Sequence, residues 1–143
     1  MPSPFGKALN RLMSFLIGTV GLNVQGAMVL DVRGRRSGRV SSRPVNPLTL
    51  GSERYLLSPQ GETQWVRNIR ATGEGTLRRG RTVEVFRVEE VPDDEKLPIM
   101  RAYLERWSWQ VKSLMGVDKT ASDAALQQIA PTHPVFRLVP KGQ

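Results

Sequence analysis

From Ala27 onward the sequence breaks into short β-branched runs, several of them separated by links too brief for anything but hairpins, and that spacing excludes most folds. The runs are Ala27 to Arg33, Val40 to Leu50, Arg54 to Ser58, Thr76 to Arg79, Thr82 to Glu90 and Val135 to Val139. Gly51-Ser52-Glu53 and Arg79-Gly80-Arg81 are compact turns between neighbouring runs. Parallel strands need crossovers of a dozen or more residues, so these links imply antiparallel pairing. The expectation is an antiparallel meander of about six strands, a number that suits a small barrel.

Helical periodicity appears elsewhere. Glu62 to Ala71 reads as one short helix, with Trp65 and Ile69 on one face and Gly73 beyond its end. Asp93, Asp94 and Glu95 open a long helix carrying Ile99, Met100, Tyr103, Leu104, Trp107, Val111 and Leu114, and Gly116 stops it. Ser122 or Asp123 caps a further helical turn that runs to Ile129 before Pro131. Near the start, Phe5, Leu9, Leu12, Met13, Leu16 and Ile17 recur at spacings of three and four, so residues 1–22 read as an amphipathic helix. Its apolar face can seal a core or cleft, or lie on a membrane surface. Together these make an α+β chain with one domain over residues 1–143 and no internal repeat or linker.

The composition narrows the chemistry. There is no cysteine, which removes disulfides, thiolate nucleophiles and cysteine metal sites, and the sole histidine, His133, cannot build a zinc site alone, so no metal is expected. Lys7 and Arg11 before an apolar stretch imitate a signal peptide, but no small-x-small cleavage site follows. No run is long enough to span a bilayer. A cytoplasmic location is expected, with peripheral contact at the inner membrane face open through the first helix. The net charge of +8 is carried mostly by arginine, which favours phosphate, carboxylate or nucleic-acid partners.

The turn Gly34-Arg35-Arg36-Ser37-Gly38 concentrates that charge. Glycines let the backbone approach a ligand, while two guanidinium forks and a hydroxyl suit an anion. It is neither G-x-G-x-x-G nor a P-loop, and no nucleophile elbow supports a serine hydrolase. Arg43, Ser58, Gln60, Gly61, Trp65, Arg67 and Asn68 fall on the same expected sheet and its adjoining helix. Lining one groove, they would suit a flat conjugated ring with a charged tail. Trp65 as core and Arg67 as a solvated helix face fit the same residues.

Three stretches in order resemble the deazaflavin-dependent nitroreductase family, split β-barrel proteins related to FMN-binding split barrels. Val29 to Gly38 resembles that family's strand followed by G-R-K-S-G, with Arg36 where lysine is usual. Arg43 with Val45-Asn46-Pro47-Leu48 resembles its R-x-N-P-L strand. Leu57 to Gly61 followed by Trp65 to Ala71 resembles its strand, glycine turn and W-x-x-N-L-x-A helix. Pro134 to Pro140 resembles its closing strand. Family members noted for nitroimidazole reduction carry several tyrosines where this chain has Trp107, Ser108, Trp109 and Val111.

The resemblance implies a split β-barrel of about six mostly antiparallel strands with an N-terminal helix and flanking helices. It implies binding of reduced coenzyme F-420, an 8-hydroxy-5-deazaflavin, with its phosphate and oligoglutamate tail at Arg35, Arg36, Ser37 and Arg43. Asn46, Pro47, Gln60, Gly61, Trp65 and Asn68 would lie nearer the ring. Hydride would pass to a small planar acceptor such as a quinone, activated alkene or nitroaromatic, with Tyr103 or Ser58 as proton donor. Phe15, Trp107 and Trp109 would border the acceptor. Rival readings are a deazaflavin storage protein without catalysis, an FMN-dependent reductase, and a basic nucleic-acid-binding barrel. No nucleic acid is expected under the favoured reading, and either a monomer or a homodimer is compatible with it.

Overall fold

The structure, a computed structural model, describes residues 28–141. The expected helix over residues 1–22, and Phe15 with it, lie outside the described residues. Seven strands form one antiparallel sheet: β1 (Met28–Arg33), β2 (Val40–Val45), β3 (Leu48–Leu50), β4 (Glu53–Leu57), β5 (Glu74–Arg79), β6 (Thr82–Glu90) and β7 (Val135–Pro140). Among the described residues three α-helices accompany them: α1 (Gln64–Thr72), α2 (Leu97–Met115) and α3 (Asp123–Ile129).

The expected run Val40 to Leu50 is two strands, not one. Pro47 has no backbone N–H to give a ladder, so pairing with β1 stops at Val45 and pairing with β4 begins at Leu48. The order in the sheet is β2-β1-β5-β6-β7-β4-β3, which is not the simple meander expected. Hairpins β1–β2, β3–β4 and β5–β6 form at the anticipated turns, but α1 separates β4 from β5, and β7 inserts between β6 and β4.

This order closes the sheet on itself. β2 and β3 are its two edges, yet only Asn46 and Pro47 separate them in sequence. Seven flat strands would hold the edges roughly 29 Å apart. Three Cα steps from Val45 to Leu48 reach at most roughly 11 Å. The sheet therefore curls until its edges meet, giving an α+β half-barrel with a seam between β2 and β3.

Two cores follow from strand alternation. Leu56 and Phe136 point to the face that packs with Leu30, Leu77, Phe86 and the α1 residues Trp65, Val66 and Ile69. Their neighbours Leu57 and Val135 point to the other face, against Ile99, Met100, Leu104, Trp107 and Val111 of α2 and Leu126 of α3. Gly75 of β5 lets α1 sit close: a Cβ there would stand 3.2 Å from Phe86 Cζ and 3.4 Å from Ile69 Cδ1. In α2, Trp107 is 2% exposed, packs against Tyr103 with ring centroids 4.9 Å apart and ring planes tilted by 56°, and carries non-helical angles (φ −131°, ψ 17°) that kink the helix. Ser122 caps α3 by accepting a hydrogen bond from Ala125 N at 3.1 Å.

Lys96 anchors the start of α2 from inside the protein. It is 2% exposed, donates to the Ala130 carbonyl at 2.8 Å and pairs with Asp93 at 2.7 Å. Trp107→Ala should cost about 3–5 kcal/mol of stability in urea denaturation, because the indole fills the α2 core. A loss below about 1 kcal/mol would show that Trp107 is not a core residue.

Candidate functional site

The seam holds a concave cavity of about 310 Å³. Its walls come from four places: Arg43 to Asn46 at the end of β2, Leu57 to Gln60 after β4, Trp65 at the start of α1, and Tyr103, Gln110, Val111 and Leu114 of α2. Apolar walls with a few polar groups are what a flat organic ligand requires. Of the residues expected in a site, Arg43, Asn46, Ser58, Gln60, Trp65 and Tyr103 meet here.

The turn after β4 is fixed from within. Ser58 Oγ donates to the Gly61 carbonyl at 2.6 Å, and Gly61 adopts φ 84° with a would-be Cβ 3.0 Å from the Thr132 carbonyl. Only glycine fits that position. Ser58 is fully buried with its hydroxyl proton committed to this turn, so its side chain holds the wall in shape.

Tyr103 is 2% exposed, and burial pushes its phenol up to about 12, with hydrogen bonding by Asn46 pulling the other way. It therefore stays protonated at neutral pH. Asn46 Nδ2 donates to Gln110 Oε1 at 3.3 Å, which ties the β2–β3 link to α2 across the seam. Sequence reasoning passed over Gln110, although it lies seven residues after Tyr103 and so on the same helix stripe.

The arginine turn adjoins α1. Arg35 Nη1 donates to Asn68 Oδ1 at 2.7 Å and to Gln64 Oε1 at 3.0 Å, and its backbone N–H reaches Asn68 Oδ1 at 3.1 Å. Asn68 thus serves the turn and does not line the cavity. Ser37 Oγ accepts from Arg39 N at 3.1 Å, and Arg36 is exposed. Ion pairing is uneven, and among the described residues Arg33, Arg67, Arg79, Arg81, Arg87 and Arg106 have no carboxylate partner. Arg54, Arg70, Arg78, Arg101 and Arg137 all pair with carboxylates. Among the described residues, Arg35, Arg36, Arg39 and Arg43 form no ion pair, and residues 1–27 contain no Asp or Glu. Uncompensated guanidinium groups beside an open cavity fit an anionic ligand.

The remaining expected residues sit apart. Pro47 is buried at the strand crossing, Gly61 is buried in its turn, and Trp107 belongs to the α2 core. Trp109 is 65% exposed and borders a separate shallow concavity with Lys112, Ser113 and Gly116. Among the described residues no group of His, Asp and Glu could hold a metal ion, and no helix is long and apolar enough to cross a membrane.

A curled antiparallel half-barrel with an apolar seam cavity and free arginines beside it defines a split-barrel domain for a flat, anionic ligand. The sequence model of the F420H2-dependent quinone reductase family matches residues 9–121. The chain belongs to that family, whose members are F-420-dependent oxidoreductases. No curated protein is significantly similar in sequence.

Among solved structures, a protein of unknown function from Agrobacterium tumefaciens superposes with a TM-score of 0.58 at 16% identity, over 82% of this chain and 49% of that one. This chain thus spans about half the length of that relative. A conserved hypothetical protein from Mycobacterium tuberculosis gives 0.54 at 15% identity, covering 99% and 82%. An F420-H2 dependent reductase gives 0.53 at 14% identity, covering 80% and 94%. At these identities the likeness is one of fold.

His133 is 6% exposed, and burial lowers its pKa from 6.5, with Lys96 adding to the effect against the hydrogen bond to Ser58. The unfolded chain therefore binds a proton more readily than the native state. This contribution to stability is full above about pH 6.5 and is lost as pH falls from there through the lower native value. Urea midpoints measured from pH 8 to pH 5 should fall more steeply for the native protein than for His133→Asn. Identical slopes would contradict the buried neutral imidazole.

Proposed function

We propose that the chain reduces quinones with hydride from reduced F-420, the deazaflavin ring occupying the seam cavity and the tail following Arg43 and the turn at Arg35 and Arg36. The observation that carries this reading is the cavity itself, with a protonated buried phenol in its wall and unpaired arginines beside it. Its polar groups are donors and neutral acceptors suited to carbonyls and ring nitrogens, so the residues present fit the coenzyme. Bound there, the reduced deazaflavin supplies the hydride.

The chain's own residues do the rest. Leu57, Pro59, Trp65, Val111 and Leu114 keep water from the reacting faces. Tyr103 Oη holds its proton and donates a hydrogen bond to a carbonyl oxygen of the acceptor, stabilising negative charge as hydride arrives. Asn46 and Gln110, joined across the seam, orient the acceptor against that phenol. Arg43 faces the same side of the hairpin as Leu30, inward, where a phosphodiester can meet it.

Reduced F-420 should be reoxidised by a water-soluble quinone in a stopped-flow assay. Tyr103→Phe should lower kcat by about 10²-fold with little change in coenzyme binding. Arg43→Ala should raise the coenzyme Kd about tenfold with a smaller effect on kcat. Tight coenzyme binding without reoxidation by quinone, alkene or nitroaromatic would replace catalysis with storage.

A further inference from the structure

One buried titratable group takes no part in the scheme above: His133, the only histidine in the chain. Its Nδ1 lies 3.1 Å from the Ser58 carbonyl. That carbonyl is an acceptor, so Nδ1 carries the proton and donates. The residues on either side reach the same turn: the Pro134 carbonyl accepts Ser58 N at 2.9 Å, and the Thr132 carbonyl abuts Gly61.

We propose that His133 is a positioning residue for coenzyme binding: with Thr132 and Pro134 it clamps the Ser58–Gly61 turn from behind, so that Pro59 and Gln60 face the deazaflavin ring in a fixed arrangement. The proposal rests on the placement of the ring in the seam cavity.

Three features support it. The Ser58 carbonyl accepts from both His133 Nδ1 and Gly61 N, the latter at 3.3 Å, which turns it toward the back of the turn. The clamp is itself braced: His133 N donates to the Ala130 carbonyl at 3.1 Å, and Lys96, buried and paired with Asp93, donates to the same carbonyl. The remaining bonds of the turn, from Ser58 Oγ and Thr63 N to the Gly61 carbonyl, are internal to it and leave its angle to the sheet unset. Backbone pairing at Ser58 N and the imidazole at Ser58 O fix that angle. A ring-binding wall gains affinity when it need not be ordered on binding.

The sole histidine makes the test specific. Uniform 15N-histidine labelling gives one imidazole, whose two nitrogen shifts should report a neutral ring protonated at Nδ1. Because the turn is already set, the Nδ1–H should stay hydrogen-bonded and keep its tautomer on saturation with oxidised F-420.

His133→Leu, checked for folding by circular dichroism, should raise the F-420 Kd about tenfold with the quinone KM unchanged. His133→Asn, whose amide N–H reaches the place of Nδ1, should bind within about threefold of the native protein. A proton at Nε2, loss of the Nδ1–H on saturation with F-420, or a folded Leu variant with native Kd would each overturn the assignment. Should the native protein bind no F-420 at all, the cofactor placement fails and the positioning role with it. If it binds and the Leu variant binds equally, only the role of His133 fails.

Discussion

Everything in this molecule depends on the two-residue link between β2 and β3. Asn46 and Pro47 join opposite edges of a seven-stranded sheet, and a chain that short forces the edges together. Proline ends the ladder on one side and allows it to restart on the other. The residue beside it, Asn46, stands at the seam and bonds to Gln110 of α2. The step that closes the fold therefore also builds the cavity.

Alternation along β4 and β7 divides the work between the two faces. One face packs α1, which carries Trp65 into the cavity and holds the arginine turn through Gln64 and Asn68. The other packs α2, which brings Tyr103, Gln110, Val111 and Leu114 to the same place. Beyond α2 that second face continues over β6, where Val83 and Val85 stay exposed. Carboxylates pair with Arg54, Arg78 and Arg137 of the sheet and Arg70 and Arg101 of the helices, whereas Arg43, which lines the cavity, has no ion pair among the described residues and keeps its charge for a ligand.

The sequence made much of this legible because the relevant signals are local. Strand ends at Arg33, Arg79 and Glu90 follow from β-branched runs bounded by turn residues, and α1 and α3 follow from periodicity and caps. Arg43, Asn46, Gln60, Trp65 and Tyr103 were expected near a ligand and share one cavity. Strand order was not legible, because pairing of β7 between β6 and β4 is decided by which apolar faces meet in space. The break at Pro47 was readable from its missing N–H but was lost in an otherwise continuous apolar run. Trp107 and Trp109 part by helical spacing: Trp107 lies on the stripe of Met100, Tyr103, Leu104 and Val111 and is core, whereas Trp109, two residues on, falls off that stripe and is exposed. His133 carries no local signal of its role, since its partner is a carbonyl 75 residues away in sequence.

The most direct test of the account is a crystal structure of the protein grown with oxidised F-420. The deazaflavin ring should lie in the seam between Asn46, Gln60 and Tyr103, with the phosphodiester on Arg43 and the tail running toward Arg35 and Arg36. Density for the ring on the uncovered sheet face around Val83 and Val85, or anywhere outside the seam, would contradict it.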